Sequence, residues 1–414
     1  MVPDGWERAD LSRFISIRHG FAFKSNYFTE SGDYVLLTPG SFYESGGFRD
    51  QGAKTKYYVG PIPDGYLLNK GDLLLAMTEQ AEGLLGSALI VPEDSKYLHN
   101  QRLGLVLVDD PQKMSTDFLY LFFNSSPARK QISDQASGTK VRHTSPDRLC
   151  SVIGLIPPLP EQKKIAQILS TWDQAITATE RLLENSQQRK KGLMQQLLTG
   201  KKRLPGFEGE WEKTTLGAIG RISSAGVDKK IVEGEKSARL LNYLDVFRRE
   251  FIFDHELTHE VTAPERKIAN CDVRKGDVFF TPSSETREEV GIPAVAVEDM
   301  PGVVYSYHVV RFRPSRPLDL SFAAYAFQTD EFRSQTYRLC DGSGQRYVLS
   351  QDDFRSIQIT VPDLAEQKAI GLVLKAASDE ILALSDRINC LKQEKKALMQ
   401  QLLTGKRRVQ VEAA

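Results

Sequence analysis

The chain has 414 residues, 41% of them hydrophobic, with 54 basic against 54 acidic side chains. That supports two or three domains with real cores, and the neutral balance means that any grip on nucleic acid must be local or shared with a partner. No run of roughly 18 or more apolar residues occurs, MVPDGWERADL lacks the apolar core of a leader, and Cys150, Cys271, Cys340 and Cys390 are scattered; a membrane span, a disulfide framework and a structural zinc site are therefore not expected, and the chain is expected in the cytoplasm.

Residues 1–156 carry short β-branched and aromatic runs at 34–38, 73–78 and 103–108, broken by Gly, Pro, Asn and Asp. Such runs predict strands with turns between them, and the apolar spacing at 117–124 predicts a short helix. The segment is expected to be an α+β domain built around a sheet.

Residues 157–203 change character. After the proline-rich IPPLPEQ, which suits a helix start and puts Glu161 in the first turn, apolar residues recur at steps of four and three. They are Ile165, Leu169, Trp172, Ile176, Leu183, Leu193 and Leu197, with Thr179, Ser186 and Lys190 at the remaining seam positions. This heptad spacing, held over about five heptads, predicts one helix of about 38 residues, roughly 57 Å long, closing at Gly200. Gly192 is its weak point, costing ~1 kcal/mol against alanine.

Residues 204–361 return to the mixed pattern, with strands predicted at 278–281, 294–297 and 309–313 and a helix at 320–327. Residues 362–414 then repeat the long helix. TVPDLAEQ opens it with Glu366 in the first turn, and Gly405 closes it. Its seam is Ile370, Leu374, Ala377, Ile381, Leu384, Ile388, Leu391, Lys395, Leu398 and Leu402. Each seam needs an apolar partner, and the nearest is the other copy. The chain is thus expected to be a pseudo-twofold tandem repeat, with two sheet-containing domains separated by two long helices that pair as an antiparallel coiled coil.

Between 157–203 and 362–408 roughly half of the positions are identical without a gap, at a shift of about 205 residues. The same shift carries Trp6 to Trp211 and Lys70-Gly71-Asp72 to Lys275-Gly276-Asp277, while the mixed domains have drifted. The helix ends kept even Gln195-Gln196 and Gln400-Gln401, which a coil seam does not require. The sharper reading, favoured here, is that both ends dock the same partner surface. The plainer one is that each end packs on its own domain in the same way.

Domain–helix–domain–helix order, with P-L-x-E-Q-x-x-I opening each helix or its close variant and L-L-T-G-K closing it, resembles the specificity (S) subunit of type I restriction–modification systems. GFAFKSNYF (20–28), KGDLLLAMT (70–78), SGTKVRHTSPDRL (137–149), LLNYLDVF (240–247) and TPSSETREEVG (281–291) add to the resemblance. It implies two target-recognition domains, 1–156 and 204–361, each reading one half of a bipartite, asymmetric site on double-stranded DNA. The helices, 157–203 and 362–414, would be a spacer and a platform for two methyltransferase subunits, which restriction/translocase subunits join. It also implies a non-catalytic chain that binds no cofactor, with S-adenosylmethionine, ATP and Mg on the partner subunits.

Bases are read by Arg, Lys, Asn and Gln, with Ser, Thr and Tyr assisting. Loop residues of those types are the DNA-binding candidates: Lys24, Asn26, Lys54, Lys56, Thr78, Gln80, Gln101, Arg102, Lys140, Arg142 and His143 in the first domain. In the second they are Lys229, Lys230, Asn242, Tyr243, Arg248, Ser284, Arg287, Tyr307, His308, Gln345 and Arg346. Gln195 and Gln400 join the apolar seams as candidates for helix pairing or partner docking. Gly71-Asp72 and Gly276-Asp277 read as turns.

Two motifs compete with this reading. His255-Glu256-Leu257-Thr258-His259 matches H-E-x-x-H, but that zinc chemistry needs a helix and the flanks read as strand and loop. Pro362-Asp363 with Glu366 and Lys368 evokes a nuclease signature, but those carboxylates crowd a helix start. No metal site is therefore expected. The alternative of another class is a coiled-coil protein-binding scaffold with two globular heads.

Overall fold

The structure, a computed structural model, describes residues 2–138 and 141–411. They form two compact units, Met1–Thr179 with Arg387–Ala414, and Glu180–Asp386. Each unit takes one mixed domain, the N-terminal half of one long helix and the C-terminal half of the other. Packing therefore cuts across the division of the sequence into domains and helices.

In the first unit, Ile15–His19, Leu103–Val108, Leu73–Ala76 and Ala88–Ile90 form an antiparallel sheet in that order. Its apolar strands are buried by Thr116–Phe123 and by both long helices, in a core that holds Leu73, Leu75, Phe118, Leu119, Ile165, Leu169, Leu402 and Leu403. A smaller sheet runs Phe28–Thr29, Tyr57–Tyr58, Tyr34–Leu36, Tyr97–Leu98. Glu7–Asp10 pairs with Ile153–Ile156, the strand that leads into the long helix Leu159–Leu197.

The second unit repeats the plan. Gly220–Ser223, Val310–Pro314, Val278–Phe280, Pro293–Ala296 and Phe251–Ile252 make its main sheet. A second sheet runs Glu260–Ala263, Lys236–Leu241, Met300–Tyr305, Asp272–Val273, and a third joins Ser283–Ser284 to the hairpin Asp341–Ser343/Arg346–Val348. Glu212–Thr215 pairs with Gln358–Val361, which leads into the helix Leu364–Leu403.

Both long helices start where the sequence places them. The Asp363 carboxylate accepts the Glu366 N–H at 2.9 Å, so this acid caps the helix. At the other ends Gly200 (φ +69°) and Gly405 (φ +68°) turn left-handed. Lys202 N–H then reaches the Gln196 carbonyl, and Arg407 N–H that of Gln401, which occupies carbonyls that would otherwise be orphaned. Every apolar seam residue named above is buried or half-buried. In the first unit Ile165 and Leu169 share a cluster with Leu402, and Lys395 pairs with Asp173. In the second, Ile370 and Leu374 share one with Leu197, and Ser186 donates to Glu380 at 3.0 Å.

The predicted strands and short helices are present with ends moved by at most two residues. The two aspartates of Lys-Gly-Asp are turn residues: Asp72 accepts from Asn69 N–H and Asp277 from Arg274 N–H, beside Gly71 (φ +92°) and Gly276 (φ +87°). No described helix is long and apolar enough to cross a membrane.

Candidate nucleic-acid interface

Each unit carries the same three-residue lock. In the first unit Glu161 accepts the Trp6 indole N–H at 3.1 Å and a two-pronged contact from Arg408, whose guanidinium lies 5.6 Å from the Trp6 ring. In the second, Glu366 accepts the Trp211 indole at 3.0 Å and two N–H groups of Arg203, with the same 5.6 Å cation–π distance. The third guanidinium nitrogen reaches the Asp4 carbonyl in one unit and the Gly209 carbonyl in the other. Neighbouring glutamines also correspond. Gln162 bonds the Pro157 carbonyl and Ser115 N–H; Gln367 bonds the Pro362 carbonyl and Asp319 N–H. The shared acids and glutamines at the helix starts, with Arg203 and Arg408 beyond the helix ends, thus serve packing on the unit's own domain. These locks were visible only as identical residues at the 205 shift; nothing in the sequence paired them.

In the second unit several segments converge. Tyr307 N–H donates to the Val227 carbonyl, two residues before Lys229-Lys230, and Ser306 N–H to the Leu241 carbonyl, one residue before Asn242. Val348 and Tyr347 of the hairpin pair with Ser283 and Ser284. Arg346 donates through Nε and Nη2 to Ser283 Oγ, at 3.1 and 2.8 Å. The Tyr307 ring lies tilted against that of His308, centroids 3.9 Å apart, and Tyr307 is 48% exposed. Burial, and then the charges of Lys229 and Arg346, hold the His308 pKa below its ordinary value, so these cations share one field.

Other candidates in this unit have internal duties. Arg287 lies over the Tyr347 and Tyr337 rings at 4.9 and 5.4 Å, Ser284 donates to Glu289, and Lys230 pairs with Asp228 at 2.9 Å. Asn242 precedes the short helix Tyr243–Phe247, where Tyr243 stacks on Phe247. Arg248 ends that helix and is exposed, as are Lys229 and Gln345.

The first unit brings equivalent segments together. Gln101 N–H donates to the Phe21 carbonyl, Met77 N–H to the Arg102 carbonyl, and Glu79 N–H to the Arg142 carbonyl. Thr78 is buried and its hydroxyl lies 3.2 Å from His143 Nδ1. Arg142 is tied to the Ser133 carbonyl and lies 3.6 Å from Glu79. Gln80, Gln101, Arg102 and His143 remain exposed around this junction. Lys24 and Asn26 are exposed at the turn Ser25–Tyr27, and Lys56 lies 5.8 Å from the Phe28 ring. Lys54 ends a separate turn, Gly52–Lys54, and no described contact brings it to the junction. Lys140 lies outside the described residues.

Gln195 and Gln400 are exposed, like Gln196 and Gln401. In the first unit Gln400 and Thr404 line a cleft of ≈ 1040 Å³ that also takes in Arg129, Lys130, Lys395 and Lys396. The hollow beside Leu198 and Thr199 in the second unit is only ≈ 40 Å³. Elsewhere in that unit Lys190 pairs with Glu250 and lies 4.8 Å from the Tyr325 ring, and Phe251 packs on the same ring.

The competing motifs separate cleanly. His255 and Glu256 sit on the 3₁₀ turn Asp254–Glu256, His259 lies outside any helix, and Glu256 pairs with Arg249. The two histidines therefore do not share a helix face as zinc hydrolysis requires. Asp363 and Glu366 are spent on the cap and the lock. Among the described residues no group of three or more His, Cys, Asp or Glu is placed to hold a metal ion.

A family model described as "Type I restriction modification DNA specificity domain" matches residues 3–185 and again 208–393. The chain belongs to this family. It is 27% identical over 318 residues to the MjaVIII specificity subunit of Methanocaldococcus jannaschii, spanning 74% of this chain and 73% of that one. It is 21% identical over 384 residues to the EcoKI specificity subunit of Escherichia coli K12, spanning 89% and 81%. Among solved structures, the type I restriction–modification S subunit from M. genitalium covers 97% of this chain and 96% of its own at 14% identity, with a TM-score of 0.57. The HsdS subunit from Thermoanaerobacter tengcongensis covers 98% of each chain at 17% identity, with a TM-score of 0.53. Specificity subunits thus share this fold over nearly the whole chain. The two family matches also fall on the two copies of the tandem repeat.

Proposed function

We propose that this chain is the non-catalytic DNA-recognition subunit of a type I restriction–modification complex. Each unit's loop junction reads one half of a bipartite, asymmetric target, and the helix ends dock two methyltransferase subunits. One observation carries the reading: equivalent loop positions bear different side chains over a frame whose lock and strand bridges recur in both units. Thr78 corresponds to Ser283, and Arg142 to Tyr347, through equivalent bridges to the hairpin. Gln101 and Arg102 correspond to Tyr307 and His308, next to the equivalent bridges Phe21–Asn100 and Val227–Ser306. Two readers with different contacts on one repeated frame suit two unlike half-sites.

The long helices pair as an antiparallel coiled coil. In support, the start of the first helix meets the end of the second within one unit, and the converse holds in the other. The exposed glutamines are explained by neither lock nor seam, and they form part of the docking surface. Adenine methylation falls to the partners, which supply S-adenosylmethionine and flip the base outward; restriction subunits bring ATP and Mg. With much of the phosphate clamp on partners, a neutral chain suffices. Co-expression with the methyltransferase subunits, followed by mapping of methylated adenines, tests this. One bipartite motif is expected, with two methyltransferase copies per chain in the purified complex. A complex without sequence preference would overturn it.

A further inference from the structure

We propose that the hairpin Asp341–Ser343/Arg346–Val348 is the major-groove reading element of the second unit, and that Arg346 reads a guanine. This rests on the DNA-recognition reading above. The hairpin is a two-stranded ribbon whose described residues are exposed except the half-buried Tyr347 and the Gly344–Gln345 turn is exposed with them. A B-form major groove admits a two-stranded ribbon.

Arg346 differs from the guanidinium groups of this unit that are paired with acids; like Arg248, which is exposed, and Arg287, which lies over aromatic rings, it has no carboxylate partner among the described residues. Arg311 and Arg313 are bound to Asp272 and Asp277, Arg239 to Asp254, and Arg249 to Asp245. Their charges are answered within the fold. Arg346 instead leans on a neutral hydroxyl, with Nε and Nη2 both directed at Ser283 Oγ. That fixes the plane of the guanidinium from its inner edge. The outer edge, one N–H of Nη1 and one of Nη2, has no partner among the described residues. It is the fork that pairs with O6 and N7 of guanine. Ser283, 8% exposed and set by its pairing with Val348, is a positioning residue.

The test uses the full chain with its methyltransferase subunits and the methylated-adenine map as readout. Arg346→Gln should relax one guanine in one half-site, lowering its preference by roughly ten- to a hundred-fold, and leave the other half-site unchanged. The unchanged half-site controls for folding. Ser283→Ala should weaken discrimination at the same base, and Ser283→Thr, which restores a hydroxyl as at Thr78 in the first unit, should recover it. A uniform loss of affinity over all sequences, with the salt slope falling by about one, would make Arg346 a phosphate contact and overturn the proposal. An unaltered motif would overturn it too. A wild-type complex with no motif at all would instead sink the DNA-recognition reading beneath it.

Discussion

Glu366→Gln puts the lock of the second unit under direct test. The Glu366 side chain is 1% exposed, and it accepts the Trp211 indole at 3.0 Å and the Arg203 Nη2 at 2.6 Å, with Nε beside it. Hydrogen bonds to a charged group contribute about 1.5–3 kcal/mol each. The amide keeps an acceptor for Trp211 but turns its NH₂ toward the Arg203 fork. Two charge-assisted bonds are lost, offset by relief of a buried carboxylate and by rehydration of Arg203, which is 26% exposed. The net loss should be about 2–3 kcal/mol. Arg203→Ala should be worse, because it leaves the carboxylate sealed with the indole as its main donor. Urea denaturation, with hydrogen exchange assigning the transition to the second unit, measures both. A Glu366→Gln chain within about 0.5 kcal/mol of wild type would refute the reasoning, as would one less stable than Arg203→Ala. Glu161→Gln should follow the same pattern more weakly, since Glu161 and Arg408 side chains are 7% and 41% exposed.

Other expectations follow from single positions. Gly192 has nothing within 4 Å of an added Cβ, so Gly192→Ala should stabilise by about 1 kcal/mol and raise Tm by about 2–4 °C in a calorimetric scan. Gly405→Ala should destabilise more than Gly200→Ala: both glycines are left-handed, but a Cβ at 405 would fall 2.3 Å from Pro3 and one at 200 only 3.7 Å from Trp211. Chemical denaturation of the two variants gives the order, and equal losses would count against it. Burial pushes the His99 pKa down to about 4, with Nε2–H donating to the Leu103 carbonyl at 2.9 Å. The folded state therefore takes up fewer protons than the unfolded one below the ordinary value of 6.5. Stability is full above that pH and falls as pH drops toward about 4, with a loss of about 2 kcal/mol at pH ~5. His99→Gln should flatten that part of the pH–stability curve.

The periodic elements were legible in the sequence because their signal is local. Heptad spacing, the prolines at each start and the glycine at each end gave both long helices, and Leu103–Val108 was read to the residue. What escaped depends on partners far apart in the chain. Glu161 was read as a helix-dipole residue, whereas its main partners are Trp6 and Arg408, 155 and 247 residues away. The hairpin at residues 341–348 has short strands and little apolar alternation, so period-2 patterning could not find it. Among the candidate contacts, residue type identified Arg346 and Tyr307, but also Arg142 and Arg287, which the fold engages internally. Only packing separates a guanidinium held by its own protein from one left facing outward.

The central claim is that one repeated frame carries two independent readers. Replacing residues 1–156 with the corresponding domain of another specificity subunit, and mapping methylated adenines in the reassembled complex, tests it most directly. We expect one half of the motif to change while the other half stays as it was. A change in both halves, or in neither, would contradict it.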